Sequence, residues 1–129
     1  MTTSENVLEV YRYAFDCARS GDGTWLAAFI EAGGSADLTN DKGDTLLILA
    51  AYHARVEAVS ILLAAGADVE RVNDNGQTAL AAAVFRRSRE LVELFLTADA
   101  NPDTGTRSAT TIATFFGLDD MAELLTEHR

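Results

Sequence analysis

Asn40 to Leu49 reads NDKGDTLLIL, and thirty-three residues later Asn73 to Ala82 reads NDNGQTALAA, with Asn, Asp, Gly, Thr and Leu in register. Such a recurrence constrains the fold more than any single motif, because repeated units bury their apolar faces by stacking on one another. The register continues. Thr45 to Glu57, TLLILAAYHARVE, lies over Thr78 to Glu90, TALAAAVFRRSRE, keeping the threonine, Leu47/Leu80, Ala50/Ala83 and the closing glutamate. Ser108 to Asp120, SATTIATFFGLDD, fits the same template but starts thirty residues on, three having been lost from the connection NPDTGTR. Gly21 and Gly33 precede Ala54 and Gly66 by the full period, so Arg12 to Gly33 is a degenerate opening copy. The expectation is one domain, 1–129, of about four units at approximately 4–39, 40–72, 73–105 and 106–129, the outer two atypical.

Each copy reads as turn, helix, short loop, helix. Thr45, Thr78 and Ser108 stand where a hydroxyl accepts from the first helical turn, which is N-cap chemistry. The alanine-rich helix that follows suits a place where a neighbouring helix approaches closely. The second helix carries the bulk at i, i+3, i+4: Val59, Leu62 and Leu63, then Val92, Phe95 and Leu96, with Leu124 and Leu125 at the end. Gly33 and Gly66 fall where a helix closes in the left-handed region, and Asp99 takes that place in the third copy.

The frame G-x-T-x-L-x-x-A-A, then V-x-x-L-L and GAD, as in Gly43 to Ala51 and Val59 to Asp68, resembles the ankyrin repeat. The resemblance runs from about Ser4 to the end. It implies an all-α solenoid of helix-turn-helix repeats joined by short turn or hairpin connections. It also implies a protein that binds other proteins on its concave side, through turn tips and inner helices. One departure is plain: the family's Thr-Pro-Leu-His becomes TLLI, TALA and SATT, so the bonds that histidine normally makes must be replaced or absent. The size resembles stand-alone bacterial ankyrin proteins, and nine Arg to one Lys fits a GC-rich genome.

In the matching registers the tips are Asp41, Lys42 and Asp44, then Asp74, Asn75 and Gln77, then Arg107. The inner helices end in Tyr52 and His53, Phe85 and Arg86, Phe115 and Phe116. Aromatic and arginine side chains in such rows suit a binding anchor. Equally, Tyr52, Phe85 and Phe115 suit sideways packing between repeats, with Phe115 closing the stack. Phe116 is the better candidate for exposure, its counterparts being His53 and Arg86, and the shortened connection is expected to leave its helix unscreened. Acids outnumber bases through Glu70, while Arg86, Arg87 and Arg89 lie farther on; a groove acidic at one end with an arginine cluster farther along would orient a partner, but a solvated helix–loop junction is the preferred account of the arginines.

Chemistry other than binding finds little support. His53 and His128 are far apart and lack zinc-ligand spacing. A calcium loop at NDNG would need ligands where Arg71 and Ala82 stand. GDG at Gly21 to Gly23 lacks the rest of a phosphate loop. Cys17 shares the buried register of Ala50 and Ala83, a structural thiol. No acid–base pair has a positioned partner, so neither catalysis nor a cofactor nor a metal is expected. A net charge of −10 disfavours nucleic acid. The start MTTSENVLEVYR has neither a basic leader nor a long apolar run, which disfavours secretion and membrane spanning. A single cysteine favours a reducing compartment, the cytoplasm by default. The reading is a monomeric protein-binding module. The alternative is an inhibitor or immunity-type protein whose acidic surface blocks a basic target. A third, end-to-end assembly, is disfavoured by a polar last helix with Glu123, Glu127 and Arg129.

Overall fold

The computed structural model describes residues 3–127; His128 and Arg129 lie outside that range. Eight helices occur among the described residues: α1 (Thr3–Ser20), α2 (Gly23–Glu31), α3 (Leu46–Tyr52), α4 (Val56–Ala64), α5 (Ala79–Phe85), α6 (Arg89–Thr97), α7 (Ala109–Phe115) and α8 (Asp119–Glu127). They form an all-α, helix-turn-helix solenoid. Inner helices α1, α3, α5 and α7 stack in one layer and outer helices α2, α4, α6 and α8 in the other, each touching its partner and its neighbours in the row.

Caps define the inner helices as expected. Thr45 Oγ1 accepts from the Ile48 N–H (3.1 Å), Thr78 Oγ1 from Ala81 (3.1 Å) and Ser108 Oγ from Thr111 (3.2 Å). Such caps each stabilise a helix by about 1 kcal/mol. Both helices of a unit close through a left-handed residue. At the outer helices this is Gly66 (φ +84°) and its counterpart Asp99 (φ +64°); at the inner helices Ala54 (+57°) and Arg87 (+55°) take the conformation that glycine holds elsewhere in the same register. The following N–H then reaches back, Arg55 to the Ala50 carbonyl and Ala67 to that of Leu62.

Small side chains let the inner layer close up. Ala50, Ala51 and Ala83 are fully buried between helices, with Leu46, Leu47 and Leu80 beside them. The outer layer contributes Val59, Leu62, Val92, Phe95, Leu124 and Leu125, all buried, whereas Leu63 is only half-buried. Cys17 is buried in the register of Ala50. Helix α1 is 18 residues where the other inner helices have 7. Its first turns leave Val7, Leu8, Val10 and Tyr11 exposed, so the opening copy is longer than the repeat register suggests.

Between units the chain turns back on itself in small loops. The Asn40 N–H donates to the Asp44 carbonyl and Asn73 to Gln77, each at 3.0 Å. Adjacent tips are tied by the Asp74 N–H to the Lys42 carbonyl (3.0 Å) and the Arg107 N–H to that of Gly76 (2.9 Å). The shortened third connection therefore still docks as a tip. Glu70 holds it from behind, accepting from the Asn101 N–H (2.8 Å) and the Thr104 hydroxyl (2.7 Å).

Candidate functional site

The tips and the inner layer enclose a groove made of two concavities, of about 410 and 450 Å³. Gln77 and Phe85 line both, so the two adjoin. Lys42, Asp44, Tyr52, His53 and Asn75 line the first; Arg107 and Phe116 line the second. Of the remaining expected residues, Asp41 and Asp74 are exposed at the tips, and Arg86 is the exposed C-cap of α5 beside Phe85.

A row of aromatic rings runs along the groove at the C-terminal ends of the inner helices. Tyr52 and Phe85 stack with centroids 6.1 Å apart, Phe85 meets Phe116 edge-on at 5.7 Å, and Phe116 meets Phe115 at 4.9 Å. Tyr52, Phe85 and Phe116 stay 46%, 43% and 50% exposed. Sideways packing and exposure thus coexist, since each ring touches the next by an edge or a face and leaves the other side open.

Phe115 differs from expectation. It does not close the stack: it is 79% exposed, and Phe116 makes the contact with Phe85. Nor does the short connection uncover the pair. The tip lies at the start of α7 and the phenylalanines at its end, about 10 Å away along a 7-residue helix.

Asn73 is a residue that sequence reasoning missed. Its side chain is 8% exposed; Oδ1 accepts from the N–H groups of Asn75 and Gln77, both at 3.0 Å, and Nδ2 donates to Asp44 at 2.8 Å. Asn40 does the same one unit earlier, accepting from Lys42 (2.9 Å) and Asp44 (3.0 Å). The signal was present, both asparagines opening the repeated stretch.

Charge divides across the groove rather than along it. The tips mix Asp41, Asp44 and Asp74 with Lys42 and Arg107, whereas Arg55 and Arg86 stand at the opposite edge, where the inner helices end. Burial, then the charges of Arg55, Arg19 and Arg86, hold the His53 imidazole below its ordinary pKa of 6.5. The unfolded chain therefore takes up this proton at higher pH than the folded one. The stability from His53 is complete above about 6.5 and is lost as pH falls through that value toward the folded pKa. Thermal melts between about pH 7.5 and 5.5 should decline less steeply for His53→Gln than for wild type. Equal slopes would contradict this placement of the imidazole.

Burial, followed by the charge of Asp22, pushes the Cys17 thiol up and keeps it neutral. Among the described residues no three His, Cys, Asp or Glu side chains are grouped to hold a metal ion, and no helix is long and apolar enough to cross a membrane.

The family model for ankyrin repeats matches residues 14–106 in three copies, well over half of the sequence. The chain belongs to the ankyrin repeat family. A Pseudomonas aeruginosa protein named as an ankyrin repeat protein is 38% identical over 53 residues, 41% of this chain. The match spans 31% of that relative's own length. Within the ankyrin frame, the position of the usual histidine holds Ile48, Ala81 and Thr111. Ile48 and Ala81 are buried and apolar, so the polar bonding at these tips falls to Asn40 and Asn73.

Proposed function

We propose that this ankyrin repeat chain is a non-enzymatic module that binds a protein partner in its groove, as a cytoplasmic monomer whose four helix pairs act as one domain. The single observation that carries the reading is the aromatic row: four rings in mutual contact and 43–79% exposed, set along a concave surface. Contiguous exposed apolar surface of this kind marks interaction sites. Ankyrin repeats are generally protein-interaction modules, and the family fold by itself names no partner.

The inhibitor alternative needs its target on acidic surface. Besides Asp41, Asp44 and Asp74 at the tips, exposed acids stand on the outer helices, at Glu57, Glu90, Glu93 and Glu123, in the layer that does not carry the aromatic row. The groove reading is therefore preferred.

Phe116→Ser tests it. With a partner captured from source cells, calorimetric titration should show a loss of about 2 kcal/mol, roughly 30-fold in Kd, while the melting temperature hardly moves. Phe115→Ser should behave alike, its ring having little contact to lose. Unchanged affinity in both variants would remove the row from the binding surface.

A further inference from the structure

The groove departs from the acidity of the rest of the protein. The chain has 20 acidic and 10 basic residues, yet the charged residues lining the two concavities are Lys42, Asp44 and Arg107, with Arg86 on the rim beside Phe85 and Asp41 and Asp74 exposed at the tips. Asp44 is already engaged by the Asn73 amide at 2.8 Å. Arg19, Arg71, Arg87 and Arg89 each pair with a carboxylate: Asp16, Asp68, Asp120 and Glu93. Among the described residues Lys42, Arg86 and Arg107 pair with none, and neither does Arg55, which lies beside His53 and donates to the Arg19 carbonyl at 2.8 Å. Arg12 on α1 is, among the described residues, the one other base without a carboxylate partner. In a chain with twice as many acids as bases, Lys42, Arg86 and Arg107 line or edge one groove without a carboxylate partner, while Arg12 stands apart on α1.

Helix electrostatics accounts for Arg86 alone. A cation at a helix C-terminus meets the negative end of the dipole, which explains Arg86 at the C-cap of α5. Arg107 directly precedes the N-cap Ser108 and Lys42 lies three residues before the N-cap Thr45, where the dipole disfavours positive charge. These two stand against the local preference of the fold and leave their charge directed at the groove.

We infer that the groove takes an acidic segment of a protein partner, its apolar side chains lying against Phe85 and Phe116 and its carboxylates reaching Arg86 on one edge and Lys42 and Arg107 on the other. This rests on the groove reading above and names the partner's chemistry. At about 0.15 M salt the screening length is about 8 Å, so the acids of the outer helices are screened at the groove, where Lys42, Arg55, Arg86 and Arg107 stand against Asp41, Asp44 and Asp74. Apolar anchors would supply affinity and the charged edges would select the partner.

The test uses the full chain, labelled with nitrogen-15, and two synthetic peptides that share leucine and tryptophan positions. One carries glutamate between them and the other lysine. At 0.15 M salt the glutamate peptide should shift amide resonances around Tyr52, Phe85, Arg86 and Phe116, and bind at least about tenfold more tightly than the lysine peptide. Arg86→Glu combined with Arg107→Glu should abolish or reverse that preference while the circular dichroism spectrum is kept, both side chains being exposed. Equal binding of both peptides in the groove, or tighter binding of the lysine peptide, overturns the acidic partner and leaves the groove reading standing. Shifts from neither peptide at these residues also overturn it, and crosslinking from position 52 then decides the groove reading by itself.

Discussion

Phe95→Ala is expected to cost about 3–5 kcal/mol of folding free energy. Phe95 is the largest fully buried side chain, on α6, which packs against α4, α5 and α8. Its removal leaves a cavity where three helices from successive units meet. A solenoid has no central core to redistribute that loss, since each unit is stabilised through its neighbours alone. Against a total of about 5–15 kcal/mol for a domain of this kind, the change is a large fraction. Urea melts should show a much lower midpoint with far-ultraviolet dichroism still helical before the transition. Leu62, one period earlier and also fully buried, should cost about 2–5 kcal/mol on the same substitution. A loss below about 1 kcal/mol in both variants would mean that the outer helices do not hold the stack together.

Asn73→Ala is expected to act on both structure and binding. The substitution removes the acceptor for two backbone N–H groups and the donor to Asp44. Water can replace part of this at an exposed turn, so the expected cost is about 2 kcal/mol rather than the sum of three bonds. Amide hydrogen exchange at Asn75 and Gln77 should accelerate markedly, because their turn would no longer be held from inside. Both residues line the groove, so affinity for a groove-bound partner should also fall, by roughly tenfold, although Asn73 itself is nearly buried. Unchanged exchange at both amides would show that the backbone alone fixes the tip.

Much of this fold was legible because the repeat compares the sequence with itself. Thr45, Thr78 and Ser108 declare the helix starts, and the alignment of Asp99 with Gly66 announces a left-handed residue that composition alone would not suggest. The register likewise placed Cys17 in the core. Residues 3–11 fall one period before 36–44 and match them at no position, so the repeat carries no sign of the length of α1.

The candidate site was legible in outline and blurred in detail. Phe115 and Phe116 are adjacent on a helix, about 100° apart in direction, and the end of α7 decides which ring meets Phe85. Sequence order runs along the stack, so an uneven charge was read as one end against the other. The inner helices run across the groove, and they carry tip and C-terminal residues to opposite edges. Asn73 was hidden by its setting, since every residue of NDNGQ is polar and only hydrogen bonding shows which one turns inward.

The central claim, that the concave face is where a protein partner sits, is tested most directly by site-specific photo-crosslinking in the source cell. A benzoylphenylalanine in place of Tyr52, 46% exposed in the groove, is compared with one in place of Glu93, exposed on the outer helix α6. The account predicts one dominant crosslinked protein from position 52, competed away by excess wild-type chain, and none of it from position 93. Capture of the same protein from position 93 and not from position 52 would contradict it.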